Sequence, residues 1–573
     1  MHYSTQRMPE RRTARDEASH DRRTFLHRCA ALLATARLPI ARAAHASSDG
    51  ELLYNGIRLG APWPPPRRSL PIRPTLPPYL ANPPRVIPID VGRQLLVDDF
   101  LIEENMLERT YHAATYASGN PVLWPTTAWE KFDEAAERTH TRSNPAAMPF
   151  SDGVFYDARD RLFKMWYMGG YSHNVCYAAS SDGRVWEKPL LDVVRGTNIA
   201  LNVTRDSSTV WLDAFERNPE SRFKLALFDD RRMELYTSPD GVHWAHRGRT
   251  GPVLDRTTFF YNPFRKLWVF SIRDELIEGS RSRRYWEARD FLHDTTWRAG
   301  EPVVWTGADA LDPRRPEYDV PAQLYNLDCV GYESLLLGLF TIWRGETNIR
   351  EKPNDIVAGY SRDGFHWHRP DRRPFIPVSE HVGDWNWGNV QSAGGVCQIV
   401  GDRLYFYVSG RRGVPGTDAP GVCSTGLATL RRDGFASLAD PAPTAPVRRI
   451  WPNAAARSMT TRPLRFSGGY LFVNADAQRG EVRVEVLDEA GRLIEPFTAG
   501  SCRGVREDGT RLPVTWTRGS LAALAGETVR FRFLVREARL FAFWVSRTPA
   551  GASGGFLAAG GPGLDGPIDG GTG

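Results

Sequence analysis

Cysteine is scarce in this chain: six of the 573 residues are cysteines, and no two of them are spaced as Cys-x-x-Cys. That spacing is typical of zinc sites and redox motifs, so neither is predicted. One cysteine, Cys29, lies in the N-terminal segment, and the remaining five cannot all pair with one another. We therefore expect most of them to be small buried residues in strands, in a fold that does not depend on disulfides.

The sequence also lacks a Gly-rich phosphate-binding loop and the His-Glu-x-x-His metal motif. No cofactor and no metal are predicted. The formal net charge is +6, but residues 1–46 contain nine arginines and only four acidic residues. The rest of the chain is close to neutral, which excludes a basic domain for nucleic acid. No later apolar run is long enough to cross a membrane.

The N-terminal segment has the pattern of an export signal. Arg22 and Arg23 precede the modestly apolar run CAALLATARLPIARAAHA, an arrangement that resembles a twin-arginine signal. Ala44-His45-Ala46 fits a small-x-small cleavage site, so residues 1–46 are predicted to be removed. The mature protein would then be periplasmic or extracellular, delivered by the twin-arginine export machinery. The alternative is a disordered basic tail.

Aromatic residues are plentiful, with 18 tryptophans, and three of these belong to a repeated motif. The motif Ser-x-Asp-Gly-x-x-Trp occurs as SSDGRVW (180–186), SPDGVHW (238–244) and SRDGFHW (361–367). Its Gly supplies a positive φ and its Asp bonds nearby backbone amides, so Asp182, Asp240 and Asp363 are interpreted as turn residues rather than catalytic ones.

Each of the three motifs ends a unit of three short strands. Five such units, two of them without the complete motif, follow one another at a spacing of about 50 to 70 residues. This periodicity predicts a five-bladed β-propeller over residues 91–450, in which neighbouring sheets bury each other's apolar faces. Strict alternation of apolar and polar residues later predicts a β-sandwich over 456–560. The fold class is thus all-β. Residues 47–90 are predicted to be a Pro-rich extended segment, and 561–573 a disordered Gly-rich tail.

Aspartates stand just before the innermost strand of three units, at positions that align with one another: Asp206, Asp255 and Asp328. Phe150 and Asn389 take this position in the other two units. Carboxyl groups that meet at one end of a narrow channel repel each other, which raises at least one pKa. A general acid beside an ionised nucleophile or base requires such a difference. The alternative interpretation is that all three aspartates cap turns.

Polar and aromatic residues near the ends of the second strands return to the same face of the propeller. Candidates for binding a substrate there are Arg273, Asp274, Trp343, Arg344, Trp387 and Asn389, with Arg411 nearby. Arginine can orient a carboxylate or a hydroxyl group, and tryptophan can stack on a sugar ring. Glu275 and Glu346 are candidate acids by their position alone.

The run of blades followed by a sandwich resembles the five-bladed glycoside hydrolases of families 32, 43, 62, 68 and 130. Residues 93–560 look most like bacterial secreted proteins of the family 32 (invertase and fructanase) type, through GNPVLWP (119–125), FKMWYMGG (163–170), DRTTFFYNPFRK (255–266) and DWNWGNVQSAGG (384–395). The family's Trp-Met-Asn-Asp-Pro motif is matched only loosely by RSNPAAMPF (142–150), its Arg-Asp-Pro motif only by Arg205-Asp206, and its Glu-Cys motif by nothing.

The resemblance implies a secreted glycosidase for a furanoside or related sugar, with Asp206, Asp255 and Asp328 as the catalytic set. One carboxyl would protonate the leaving oxygen and another would attack the anomeric carbon or activate water. Two alternatives remain open at this stage. The first is a carbohydrate-binding propeller without catalysis, and the second is a phosphorylase or lyase on the same scaffold.

Overall fold

The structure is a computed structural model that describes residues 50–131, 144–277, 280–318, 320–440 and 457–570. The predicted export signal at 1–46 lies outside these residues. Within them the chain is all-β, and helix is limited to α1 (Pro78–Ala81) and two turns of 3-10 helix. None of these helical segments has the length and hydropathy that crossing a bilayer would require.

Five short strands precede the first complete sheet. They are β1 (Ile87–Pro88), β2 (Gln94–Leu95), β3 (Ile102–Asn105), β4 (Glu108–Tyr111) and β5 (Thr115–Tyr116).

Three four-stranded antiparallel sheets then follow in chain order, and each strand pairs with the next one. Sheet I contains β6 (Ala147–Asp157), β7 (Leu162–Gly169), β8 (His173–Ser180) and β9 (Ile199–Thr204). Sheet II contains β10 (Ser208–Leu212), β11 (Phe223–Asp229), β12 (Arg232–Ser238) and β13 (Ala245–Arg249). Sheet III contains β14 (Thr258–Asn262), β15 (Leu267–Ile277), β16 (Ser280–Ala288) and β17 (Val303–Gly307).

Two further sheets complete the series. Sheet IV contains β18 (Gln323–Glu333), β19 (Leu335–Trp343) and β20 (Asp355–Ser361). Sheet V contains β21 (Asn389–Ser392), β22 (Gln398–Val400), β23 (Arg403–Arg411) and β24 (Cys423–Arg431), and β5 pairs with the outer edge of β24. The second strands read as continuous apolar runs, such as LLLGLFTIW in β19, because both of their faces are buried.

The innermost strands of sheets I to V contact one another in a closed cycle. Strand β6 contacts β10, β10 contacts β14, β14 contacts β18, β18 contacts β21, and β21 contacts β6 again. One apolar cluster runs through all five sheets, so each sheet covers the face of its neighbour. We call the end of the cycle at which these innermost strands begin the ring mouth.

The repeated Ser-x-Asp-Gly motif forms the same turn in all three places. The Asp240 carboxylate accepts hydrogen bonds from the backbone N–H groups of Val242 and His243, at 2.8 and 2.9 Å. Asp182 and Asp363 accept the equivalent pairs of hydrogen bonds. Their structural interpretation agrees with these contacts.

Each of these turns also attaches to the preceding sheet of the cycle. The carbonyl of Gly241, in sheet II, accepts a hydrogen bond from Nε1 of Trp166, in sheet I, at 2.6 Å. The carbonyl of Gly183 accepts one from the hydroxyl of Tyr407 in sheet V at 2.5 Å. The repeat therefore joins neighbouring sheets, which explains why it recurs along the chain.

The last part of the chain forms two larger sheets together with β1 to β4. Its strands are β25 (Ala436–Ala439), β26 (Arg457–Thr461), β27 (Leu464–Arg465), β28 (Tyr470–Asp476), β29 (Glu481–Asp488), β30 (Cys502–Arg503), β31 (Asp508–Trp516), β32 (Val529–Arg536), β33 (Arg539–Ser546) and β34 (Phe556–Leu557). Sheet VI has the order β1-β27-β32-β26-β3, with β29 also on β32. Sheet VII has the order β30-β31-β28-β33-β25-β4, with β2 also on β33. A second apolar cluster lies in these sheets.

The sheets do not follow the domain boundaries predicted from the sequence. Strands β2, β3 and β4 lie inside the predicted propeller range of 91–450, but they pair with β33, β26 and β25 of the last part of the chain. Strand β34 lies inside the predicted sandwich range of 456–560, but it pairs with β18 of sheet IV. The boundaries are corrected accordingly, because strands distant in sequence complete both groups of sheets.

The prediction of a disordered tail at 561–573 is wrong for residues 561–570. The Asp569 carboxylate accepts a hydrogen bond from the backbone N–H of Ser553 at 3.0 Å, and Ile568 forms a β-bridge with Phe556. These contacts hold the glycine-rich segment against ordered strands. Residues 571–573 lie outside the described part of the chain.

The Gly241 turn predicts a measurable packing effect. Gly241 has φ of 82°, and a Cβ there would overlap Cζ2 of Trp166. We expect Gly241→Ala to destabilise the protein by about 1–2 kcal/mol from the positive φ and about 1–3 kcal/mol more from the overlap. Thermal unfolding monitored by circular dichroism measures the change.

Gly300→Ala is the matched control, since Gly300 has φ of 87° and no atom lies within 4 Å of the position that a Cβ would occupy there. Gly300→Ala should therefore lower the free energy of unfolding only by the cost of the positive φ. Equal destabilisation by both substitutions would contradict the proposed contact between the turn and Trp166.

Candidate active site at the ring mouth

Three non-glycine residues with positive φ meet at the ring mouth. Phe150 and Ser151 have φ of 37° and 68°, at a register shift between β6 and β7, and Arg256 has φ of 61°. Such conformations cost about 1–3 kcal/mol each and are concentrated at functional sites. The Arg256 guanidinium lies 3.8 Å from the ring centroid of Phe150 and donates to Oγ of Ser151 at 3.2 Å. It also donates to Oε1 of Gln391 at 2.8 Å, so one buried arginine connects sheets I, III and V.

Asp328 is buried beside this arginine. Its Oδ2 accepts hydrogen bonds from Oγ of Ser392 at 2.6 Å and from Nδ2 of Asn326 at 2.8 Å. Its Oδ1 is buried and has no hydrogen-bond partner among the described residues. Burial raises the pKa of Asp328 above its ordinary value, although the hydrogen bond from Ser392 and the charge of Arg256 oppose this. Asp328 is thus a carboxyl group that tends to keep its proton.

Asp206 is only half-buried, and its Oδ1 atom is enclosed without a hydrogen-bond partner among the described residues. The neighbouring Arg205 is fully engaged, because it donates to both carboxylate oxygens of Asp152 at 2.7 Å. Arg205 therefore neutralises Asp152 and leaves the Asp206 carboxylate available to a ligand.

The structure brings Asp206 and Asp328 to the same arginine. Oγ of Ser151 accepts a hydrogen bond from Arg256 at 3.2 Å and donates one to Oδ2 of Asp328 at 3.4 Å. Asp206 directly precedes Ser207, whose Oγ accepts a hydrogen bond from the backbone N–H of Arg256 at 2.8 Å. Burial lowers the pKa of Arg256, and the charges of Asp206 and Asp328 oppose that effect. Asp255 joins the cluster less directly. It is about one-third exposed and forms an ion pair with Arg273, whose pKa is also affected by the charge of Tyr325.

The alignment that matched Asp328 with Asp206 and Asp255 is corrected by the strand register. Asp206 and Asp255 stand before β10 and β14, whereas Asp328 lies inside β18, five residues before its end. Asp152 occupies that same position in β6. Sheet IV has a bulge and a longer innermost strand, so Asp328 lies two residues nearer the end of its strand than the alignment assumed. Asp328 is therefore deeper in the sheet than the other two aspartates.

Two of the six residues predicted to bind substrate can contribute polar atoms to the mouth. Trp343 is nearly buried, has the Arg281 guanidinium 4.8 Å from its ring centroid, and leaves Nε1 without a hydrogen-bond partner among the described residues. Arg273 is half-buried and pairs with Asp255. Asn389 lies at the start of β21 but is fully buried, with its amide bonded to the carbonyl of Lys352 and to Gln391.

The other three predicted binding residues have structural contacts instead. Asp274 pairs with Arg284, and together with Arg273 it lines a cavity of about 260 Å³. Arg344 pairs with buried Asp355, and burial lowers its pKa to about 10. The carbonyl of Trp387 accepts two hydrogen bonds from Arg350. Adjacent strand residues point to opposite faces, so a prediction by sequence position alone includes some that face away from the mouth.

Four residues that the sequence interpretation did not select for the site also belong to it: Tyr325, Glu351, Arg256 and Asp152. The sequence did not indicate Asp152 as a site residue, because its Asp-Gly pair resembles the turn motif. Tyr325 and Glu351 lack any motif, and only the folded chain brings them to the mouth. Arg411, noted from its strand end, forms an ion pair with Glu351 there. The described residues contain no cluster of three or more His, Cys, Asp or Glu side chains that could hold a metal ion.

Several solved structures resemble this chain weakly. An N-acetylgalactosamine deacetylase from F. plautii, in complex with blood group B trisaccharide, has 14% identity and a TM-score of 0.37, over 57% of this chain and 96% of that one. An exo-β-1,3-galactanase from Phanerochaete chrysosporium has 11% identity and a TM-score of 0.33, over 77% and 100%. A fructofuranosidase from Schwanniomyces occidentalis, complexed with fructosylnystose, has 10% identity and a TM-score of 0.32, over 70% and 94%.

No protein-family model and no curated protein matches the chain.

The raised pKa of Asp328 predicts a pH-dependent loss of stability. The folded state holds the Asp328 proton above pH 3.8, where the unfolded state has released it, so stability should fall as the pH rises from about 4 through the raised value. A difference of one pH unit between the folded and unfolded pKa corresponds to about 1.4 kcal/mol. Asp328→Asn should flatten this part of the curve, and urea unfolding between pH 4 and 7 measures it.

Asp565→Asn, at an exposed carboxylate that follows β34, serves as the control and should keep the slope of the unsubstituted protein. If Asp328→Asn keeps that slope as well, the carboxyl does not titrate as described.

Proposed function

We propose that the protein is an exported glycoside hydrolase that cleaves a glycosidic bond at the ring mouth. The proposed architecture is a five-bladed β-propeller made of sheets I to V, with a β-sandwich made of sheets VI and VII. The closed cycle of innermost strands supports the propeller. The export proposal rests on the twin-arginine pattern of residues 1–46.

The observation that carries the proposed function is a pair of unlike carboxyl groups around Arg256. Asp328 is buried and its pKa is raised, whereas Asp206 is half-buried and presents a carboxylate oxygen without a partner among the described residues. Glycoside hydrolysis requires one carboxyl that gives a proton and another that attacks or activates water. A buried carboxyl with a raised pKa beside a more exposed carboxylate is an arrangement that suits separate acid and base roles.

The roles follow from these environments. Asp328, the buried carboxyl whose pKa is raised, donates a proton to the glycosidic oxygen as the bond to the anomeric carbon breaks. Asp206 either attacks that carbon or removes a proton from the water that does. Asp255, ion-paired with Arg273, provides negative charge near the oxocarbenium-like transition state. The sum of these steps adds one water molecule across the glycosidic bond.

Groups that could bind sugar hydroxyls accompany these carboxyls. Nε1 of Trp343 and Nε of Arg273 are enclosed donors without hydrogen-bond partners among the described residues. A buried polar group left unpaired is unfavourable, so a polyhydroxylated ligand that supplies acceptors would be stabilised here. This combination of free donors and a free carboxylate oxygen favours a sugar over an apolar ligand.

Substitution of Asp206 tests the proposal directly. The purified protein would be screened for release of reducing sugar from a panel of polysaccharides and oligosaccharides. On a substrate that is cleaved, Asp206→Asn should lower kcat by about 10²–10⁴-fold, because it removes the nucleophile or base. Asp328→Asn should cause a loss of similar size.

Asp192→Asn provides the control, since its exposed carboxylate lies outside the ring mouth, and it should keep activity within about twofold. Full activity in both folded Asp206→Asn and Asp328→Asn would exclude these roles. Glycan binding without any product would favour the non-catalytic propeller, and a requirement for inorganic phosphate would favour a phosphorylase.

A further inference from the structure

We propose that the sugar bound at the ring mouth carries a carboxylate, and that Arg411 binds this group beside Tyr325 with the help of Lys352 and Arg281. The proposal deepens the function proposed above and rests on it. It concerns the class of substrate, an acidic sugar such as a uronic acid residue.

Positive charge collects around Tyr325, on β18. The guanidinium groups of Arg256 and Arg281 lie 5.3 and 5.7 Å from its ring centroid. Burial alone would raise the pKa of Tyr325, yet the charges of Arg411 and Lys352 lower it below its usual value of 10. Two guanidinium groups therefore lie beside this ring, and the charges of Arg411 and Lys352 also act on its hydroxyl group.

These cations are incompletely neutralised by the described residues. Arg256 and Arg281 have no carboxylate partner there and donate instead to the side-chain oxygens of Gln391 and Gln323. Lys352 lies 3.2 Å from the carboxylate of exposed Glu346 and 4.0 Å from that of Glu351, which it shares with Arg411. Such a surplus of positive charge in a partly enclosed site favours an anionic ligand, because the attraction is strong where water is excluded.

Arg411 has the geometry of a carboxylate receptor. It is 1% exposed, and its Nη1 atom pairs with the carboxylate of Glu351. Its Nε and Nη2 atoms are buried and have no hydrogen-bond partner among the described residues. The N–H bonds of these two atoms are parallel along one edge of the guanidinium group, so they can bind both oxygens of one carboxylate.

The receptor is held in place by its neighbours. The rings of Phe150 and Tyr171 each lie 5.3 Å from the Arg411 guanidinium, and Glu351 fixes its other edge. Another buried arginine near the site, Arg350, differs in having all three nitrogens bonded, to Trp387, Ser379 and Glu380. The free edge is therefore particular to Arg411 among these two arginines.

A carboxylate on the sugar fits better than a free phosphate ion. Asp206 and Glu351 each leave one carboxylate oxygen without a hydrogen-bond partner among the described residues, and both would repel a dianion. Those same oxygens can accept hydrogen bonds from sugar hydroxyls. A sugar with one carboxylate therefore satisfies the donors of Arg411 and the two free acceptors together.

The test compares acidic polysaccharides with the same polymers after reduction of their carboxyl groups. Polygalacturonate and its reduced form have the same linkages and differ only at C6, where the carboxylate is replaced by a neutral hydroxymethyl group. Binding is measured by isothermal titration calorimetry, and cleavage by product release. We expect the acidic polymer to bind at least about tenfold more tightly, since a hydrogen bond to a charged group is stronger than a neutral one. This preference should weaken at high salt.

Arg411→Lys keeps the charge opposite Glu351 but removes the paired N–H edge, so it should abolish most of the preference. Arg350→Lys is the matched control and should retain it. Arg281→Gln, at a half-buried position, provides a second variant should Arg411→Lys fail to fold, and it should reduce the preference several-fold. Circular dichroism establishes folding for each variant.

Equal affinity for acidic and reduced polymers across the panel would overturn the proposal, as would an unchanged preference in folded Arg411→Lys. Competition by inorganic phosphate at the affinity of the acidic sugar would overturn it in favour of phosphate binding. Tight binding of acidic polymers without any product would instead exclude the hydrolase function while supporting carboxylate recognition, so the two failures are distinguishable.

Discussion

Closure of the ring is the constraint on which the site depends. The last sheet of the cycle is completed by a strand from the beginning of the chain, where Thr115 and Tyr116 pair with Thr429 and Ala428. Leu123 continues this contact through a bridge to Thr425. Joining segments about 300 residues apart is entropically costly, so the closure must be supported by the apolar contacts between all five sheets. Without it β6 and β21 would separate, and the residues of the mouth with them.

At the ring mouth, unfavourable backbone conformations and unpaired charged groups lie close together. Phe150, Ser151 and Arg256 adopt positive φ values, and several buried donors and acceptors nearby have no partner among the described residues. Elsewhere the buried charges are paired, as in Asp157, where burial alone would raise the pKa but Arg222 and Lys164 lower it to about 2. Unpartnered polar atoms also occur outside the mouth, as at Nε1 of Trp186 and Trp244, but the charged ones at the mouth support the proposed ligand site.

Features that depend on contacts between neighbouring residues were predicted better from the sequence than features that depend on contacts between distant residues. The Ser-x-Asp-Gly turns could be assigned because their hydrogen bonds span only two or three residues. The site was predicted less well. Asp206 and Asp328 are both linked to Arg256, a residue that no motif indicated. Asp274 and Trp387 make structural contacts, since one residue of strand register reverses the face of a side chain. Tyr325 and Glu351 carry no local signal.

The sequence by itself determined the all-β character, the succession of similar strand units and the turns that separate them, because strand patterns and Asp-Gly turns depend on neighbouring residues. Only the tertiary structure decided which ends of the chain complete which sheets and which charges meet at the mouth. Those outcomes depend on contacts between residues that are far apart in the sequence. The partners of Arg411 are one example: Glu351 is 60 residues away and Phe150 comes from another sheet.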